Sequence, residues 1–132
     1  GKALILWESD EPKIALLSTG SMSYIALSAA RALSENSIGS IVLHVPTVKP
    51  LDEQAILDAI KGVRGVVTVE EHQVAGGFGS AIAELLAEKH PLPVKRLGIE
   101  DQFGQSGSPD ELLAHYGLNT PRIEEAVQAI IA

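Results

Sequence analysis

An apolar run of β-branched residues at 66–69 leads within ten residues into a glycine-rich segment and then into a helical pattern. A continuous apolar run is typical of a strand that is buried on both faces of a parallel sheet. Gly76, Gly77 and Gly79 permit a sharp turn and a close approach between backbones. This unit constrains the fold strongly, because a parallel strand needs a crossover connection, usually a helix, to reach its neighbour.

The same alternation of strand and helix patterns extends along the whole sequence. The predicted strands cover residues 3–7, 13–19, 40–45, 66–69 and 94–99. The predicted helices cover 22–35, a stretch after Asp52 that ends by Gly62, 81–90, 109–116 and a last stretch from 120. Asp52 is expected to cap the second helix, and Gly117 and Pro121 are expected to separate the last two. The alternation predicts βαβ units and a parallel sheet.

The first two predicted strands are joined by the polar turn at residues 8–12. This turn is too short for a parallel crossover. One strand is therefore expected to be antiparallel to the rest, or the first strand lies at a sheet edge. With 132 residues, the chain fits a single domain that covers residues 1–132 and buries a substantial core.

The composition argues against several classes of function. The formal net charge is −7, which disfavours a sequence-independent nucleic-acid surface and adsorption on an anionic membrane. The chain has no cysteine, so it has neither a disulfide framework nor a thiolate metal site. No apolar run approaches the length of a membrane-spanning helix, and no charged-then-apolar leader opens the sequence. A cytoplasmic protein is therefore expected.

Three motifs occur in an order and spacing that resemble a known family. They are the segment 46–52, the acidic residues and histidine at 70–72 followed by the glycine-rich 76–80, and the segment 101–107 followed by 111–118. Together they resemble the C-terminal domain of transketolase over essentially the whole chain. Related domains occur in deoxyxylulose-phosphate synthase and in the β subunit of 2-oxo acid dehydrogenases. The Phe-Gly-x-Ser-Gly loop before a Glu-Leu-Leu helix favours transketolase, often as the separately encoded C-terminal half of a split enzyme.

The resemblance implies a fold and a role. The fold would be a three-layer α/β/α sandwich whose five-stranded, mostly parallel sheet has one antiparallel strand, the first. The parent enzyme would be a transferase of the pentose phosphate pathway, a homodimer that moves a two-carbon ketol unit between sugar phosphates. Thiamine diphosphate and Mg²⁺ would bind between its pyrophosphate and pyrimidine domains. This chain lacks the Gly-Asp-Gly…Asn-Asn stretch that binds the diphosphate metal, so it would hold no catalytic residue, metal or cofactor and would be inactive alone.

Two acids and a histidine, residues 70–72, follow the strand predicted at 66–69, where ligands of open α/β sheets usually bind. Glu71 and His72 could form a pair in which a carboxylate orients an imidazole for acid–base chemistry. The alternative is that they end the strand and hydrogen-bond the next loop or a neighbouring domain. The sequence leaves both interpretations open.

The glycine-rich segment offers a second candidate site. Gly76, Gly77, Gly79 and Ser80 precede or open a predicted helix, whose free N–H groups could bind a phosphate or another anion. The alternative is tight packing of strand against helix, and the dinucleotide fingerprint is incomplete because Ile82 stands where its third glycine would be.

Three functions remain from different classes. The first is a structural domain that supports the dimer of a transketolase beside its pyrimidine domain, with Phe103 as an interface anchor. The second is a regulatory module that senses an anion or a sugar phosphate at the glycine-rich segment. The third is a subunit-docking domain, as in the 2-oxo acid dehydrogenase β subunits. A domain cut from a larger protein would be expected to expose an apolar patch where its neighbour was.

Overall fold

The computed structural model describes residues 2–46, 49–71, 77–99 and 109–132, and for 109–119 it describes the backbone. The strands are β1 (Leu4–Glu8), β2 (Ile14–Ser18), β3 (Ser40–His44), β4 (Gly65–Glu71) and β5 (Val94–Ile99). The helices are α1 (Ser23–Glu35), which follows a 3₁₀ turn at Gly20–Met22, α2 (Glu53–Ala59), α3 (Phe78–Lys89) and α4 (Pro109–Ile131). The strands form one sheet in the order β1-β3-β2-β4-β5. β1 runs antiparallel to β3, and the other pairs are parallel.

The central strand β2 and the first five residues of β4 are buried on both faces of the sheet, which the continuous apolar run at 66–69 predicts for β4. Ile14 and Leu16 belong to a core formed with α1 and α4, whereas Ala15 and Leu17 belong to a second core formed with α2 and α3. All four side chains are fully buried. This two-sided burial defines an α/β/α sandwich of three layers, which confirms the predicted fold class.

The short turn between β1 and β2 explains why the first strand is antiparallel. β1 does not pair with β2 but with β3, so the turn passes over the start of β3. The Ser9 N–H donates to the Ser40 carbonyl and the Lys13 N–H donates to the Gly39 carbonyl, at 3.0 and 2.9 Å. A Cβ at Gly39 would lie 2.8 Å from the carbonyl oxygen of Glu11. Gly39 therefore allows the turn to close over β3, and β1 is both antiparallel and at the edge.

Asp52 caps α2, as the sequence predicts, and also fixes the start of β1. Its Oδ1 accepts from the Ala55 N–H at 3.3 Å, and its Oδ2 accepts from the Ala3 N–H at 3.0 Å. The Ala3 and Ala55 amides hold the pKa of the Asp52 carboxyl below its ordinary value of 3.8, because both bonds favour the carboxylate. One side chain thus ties a helix N-terminus to the edge strand.

We expect Asp52→Ala to lower the melting temperature at pH 7 by a few degrees, because two amides lose their acceptor. A lowered folded-state pKa contributes stability that is present above 3.8 and is lost as the pH falls through that lower pKa. Thermal melts should therefore show the gap between wild type and variant shrinking from pH 7 to pH 3. Asp52→Asn is the matched control, since it keeps an acceptor without a titrating charge. A gap that is constant across this range would contradict the assignment.

The C-terminal segment differs from the prediction of two helices. The backbone is helical from Pro109 through Gly117 and Pro121 to Ile131. A proline inside a helix removes one backbone hydrogen bond but does not forbid helix. Here α4 packs on α1 and buries Ile123 and Val127 completely. This packing outweighs the local helix-breaking signals, which is the usual outcome when tertiary contacts oppose propensity.

Candidate functional site

The connections that leave the carboxyl ends of β2 and β4 run in opposite directions across the sheet. The connection after β2 leads to β3 on one side, and the connection after β4 leads to β5 on the other. Strands β2 and β4 are adjacent and parallel, with Ser18 beside Val69. The helix that follows β2 lies on one face of the sheet and the helix that follows β4 lies on the other. Open α/β sheets bind ligands at such switch points. The described part of the predicted site, Glu71 and the residues from Gly77 to Ser80, therefore lies at the expected edge.

The α3 N-terminus at this edge already has an acceptor from the chain itself. Gly77 is the N-cap residue of α3 and has no side chain that could cap the helix. Glu70, near the end of β4, instead accepts a hydrogen bond from the Gly79 N–H through its Oε2 at 3.0 Å. A carboxylate at a helix N-terminus interacts favourably with the helix dipole. Glu70 therefore occupies the position that a bound anion would take on Gly79.

Three further side chains complete the contact between α3 and the sheet. The exposed Arg96 of β5 donates from Nη1 to the Ser80 hydroxyl at 3.1 Å. A Cβ on Gly79 would lie 3.0 Å from the Thr68 Oγ1 and 3.0 Å from the Arg96 Cγ. The Thr68 hydroxyl is buried and has no hydrogen-bond partner among the described residues. Gly79 thus allows α3 to pack closely against β4 and β5. Such tight packing is the alternative to anion binding that the sequence left open.

The structure brings together part of the predicted site. Gly77, Gly79 and Ser80 lie at the start of α3, and Glu71 is half-buried as the last residue of β4. His72, Gly76 and Phe103 lie outside the described residues, so the Glu71–His72 pair, the first glycine and the interface anchor stay predictions. Sequence reasoning missed Glu70 as the acceptor at the α3 N-terminus and Arg96 as the donor to Ser80. The available signal was the position of Glu70, since an acid at a strand end faces the next helix N-terminus in a βα unit.

A second polar cluster lies at the neighbouring strand ends. The buried Ser18 hydroxyl is 2.9 Å from the Ser23 hydroxyl, which is 2.7 Å from the Nδ1 of His44. The chain of bonds connects the end of β2, the first residue of α1 and the end of β3. His44 is therefore a hydrogen-bonded residue at the end of its strand. The bonds orient the imidazole, and among the described residues no carboxylate is hydrogen-bonded to this cluster.

The described residues contain no group of three or more His, Asp or Glu side chains that could hold a metal ion. Within the same part of the chain, no helix combines the length and the apolarity that crossing a bilayer requires.

The fold and the switch point define a doubly wound α/β domain whose first strand is an antiparallel edge. The family model described as "Transketolase, C-terminal domain" matches residues 1–123. The chain is 42% identical over 130 residues to the 6-deoxy-6-sulfo-D-fructose transketolase subunit of Clostridium sp. (strain MSTE9). This alignment covers 98% of this chain and 40% of the relative. The chain is 40% identical over 134 residues to 1-deoxy-D-xylulose-5-phosphate synthase 1 of Geobacter sulfurreducens, over 100% of this chain and 21% of the relative.

Two solved structures share the fold. A split gene transketolase, described as an inactive β4 tetramer, matches with a TM-score of 0.76 and 35% identity over 98% of this chain and 42% of its own. Transketolase from Campylobacter jejuni matches with a TM-score of 0.58 and 25% identity over 96% of this chain and 18% of its own. The chain belongs to the transketolase C-terminal domain family. It spans about a fifth to two fifths of the length of these relatives.

Proposed function

We propose that this chain is the C-terminal domain of a thiamine-diphosphate transketolase and that its role is to support the assembly of the catalytic domains. The observation that carries the proposal is the family match over residues 1–123, by a chain that covers only 40% of the Clostridium transketolase subunit. The parent would transfer a two-carbon ketol unit between sugar phosphates in the cytoplasm, as an enzyme of the pentose phosphate pathway. Pyrophosphate and pyrimidine domains or subunits would be its partners, in a homodimer.

The geometry of the switch point supports a structural role for this domain. Glu70 accepts from Gly79, and Arg96 donates to Ser80, so the polar groups at the start of α3 are used within the chain. Thiamine diphosphate carries a strongly anionic diphosphate that needs a metal ion and free donors. The described residues do not fit that group, because the carboxylate of Glu70 would repel it from the α3 N-terminus. In the proposal the cofactor and Mg²⁺ are held by the other domains.

Titration of the purified chain with thiamine diphosphate and Mg²⁺ tests this role. We expect no heat of binding by calorimetry and no ketol transfer between sugar phosphates. Saturable binding of the cofactor, or transfer above the buffer rate, would overturn the proposal that the domain is inactive alone. The solved β4 tetramer of a split transketolase is described as inactive, which agrees with this expectation.

The anion-sensing function remains a second candidate, favoured by the position of the Arg96 guanidinium beside Ser80. Inorganic phosphate would have to displace Glu70 from the Gly79 N–H to bind at the α3 N-terminus. This candidate predicts saturable phosphate binding that Gly77→Asp abolishes and that the remote surface change Glu125→Gln preserves. The absence of binding at millimolar phosphate would eliminate it.

A further inference from the structure

The exposed large apolar side chains of the described residues gather at one edge of the domain. Leu4, Ile5 and Leu6 of β1 are 57%, 55% and 38% exposed, and Tyr24 of α1 is 61% exposed. We name these four residues the β1 patch. Leu6 and Tyr24 also line one groove of about 310 Å³. An apolar surface of this kind on a globular domain marks an interaction site.

The backbone at this edge points to a strand as the occupant. β1 pairs with β3 along one side, and no described strand pairs with it along the other. A free edge presents N–H and C=O groups that can extend the sheet onto another chain. Natural edge strands are usually protected by charges in their centre, whereas β1 begins with Leu4, Ile5 and Leu6. Its one charged residue is Glu8 at its last position, and Lys2 lies two residues before its first.

Two charged residues that flank the apolar part of β1 are arranged symmetrically about Ile5. Lys2 and Glu8 each lie three residues from Ile5. An antiparallel second copy centred on Ile5 would place each Lys2 opposite the Glu8 of the other copy and each Leu4 opposite a Leu6. A parallel copy in register would instead place like charges opposite each other, which is destabilising. A two-fold axis produces this self-complementary arrangement, because the same patch serves both copies.

We propose that two copies of this chain associate through their β1 edges, antiparallel about a two-fold axis at Ile5, to form one continuous ten-stranded sheet. The register of β1 on β3 shifts between Ile5 and Trp7. In the two-fold arrangement, this register shift lies opposite the first half of β1 in the other copy, where the register of β1 on β3 is regular. The pairing covers the β1 patch and goes beyond the proposed function, since it does not depend on ketol transfer.

Sedimentation equilibrium of the purified chain tests the pairing. We expect the wild type to approach twice 13.9 kDa as its concentration rises, and we expect Ile5→Lys to stay at 13.9 kDa because it places two lysines at the axis. Circular dichroism should show the same fold for both. A wild type that is monomeric up to millimolar concentration, or an Ile5→Lys variant that still dimerises, would overturn the proposal.

A charge exchange tests the register itself. Lys2→Glu or Glu8→Lys alone should weaken the dimer about tenfold, because two opposite-charge pairs become two like-charge pairs. The double variant Lys2→Glu/Glu8→Lys should restore wild-type affinity. Glu88→Lys, on the exposed face of α3, is the matched control and should leave the affinity unchanged. Failure of the double variant to restore the dimer would exclude the antiparallel register, whatever the outcome of the cofactor titration.

Discussion

Leu16→Ala is expected to lower the free energy of unfolding by about 2–5 kcal/mol, the range for a large-to-small change in a tightly packed core. Leu16 is fully buried on the central strand β2, in the core that α1 and α4 form with the sheet. The strand is covered on both faces, so the surrounding elements cannot easily collapse into the cavity. Urea unfolding monitored by circular dichroism measures the loss.

Leu16→Met is the matched control, because it nearly conserves volume and should cost less than about 1.5 kcal/mol. If the alanine and methionine variants lost equal stability, the side chain would not be a central core residue. A large loss for alanine alone would confirm that one cooperative core depends on β2.

Glu70→Ala is expected to lower the free energy of unfolding by about 1.5–3 kcal/mol, the range for a hydrogen bond to a charged group. The change removes the acceptor of the Gly79 N–H and the negative charge at the N-terminus of α3. Glu70→Gln should lose less, because its side-chain carbonyl still accepts a hydrogen bond. Urea unfolding of the three proteins gives the comparison.

The same variants separate capping from ligand binding. Removing the Glu70 carboxylate frees the Gly79 N–H, so phosphate should raise the melting temperature of Glu70→Ala more than that of the wild type. An equal rise in both proteins would show that phosphate binds elsewhere. A larger rise in the wild type would contradict the assignment of Glu70 as the internal anion.

Much of the fold could be predicted from local patterns. The apolar run at 66–69 indicated a strand buried on both faces, as β4 is, and Asp52 was recognised as a helix cap. The short turn before β2 indicated an antiparallel or edge strand, and β1 is both. These features depend on residues close in sequence, which is why the sequence carries them.

The features that the sequence missed depend on contacts between distant residues. Gly117 and Pro121 predict a break, but the buried contact of Ile123 and Val127 with α1 holds α4 as one helix. The hydrogen bond from the Gly79 N–H to the Glu70 carboxylate depends on where α3 begins relative to the end of β4. Local patterns do not determine the distance between the end of β4 and the start of α3. The sequence therefore did not show that the Gly79 N–H, in the described part of the glycine-rich segment, already has an acceptor.

We propose that this domain serves a thiamine-diphosphate enzyme. Native capture from source extract with an antibody against the purified chain, followed by a ketol-transfer assay of the captured material with thiamine diphosphate and Mg²⁺, tests it most directly. We predict cofactor-dependent transfer of a two-carbon unit between sugar phosphates by the captured material, and no transfer by the 132-residue chain alone. Captured material that contains the chain at 13.9 kDa, with no other subunit and no cofactor-dependent transfer, would contradict the account.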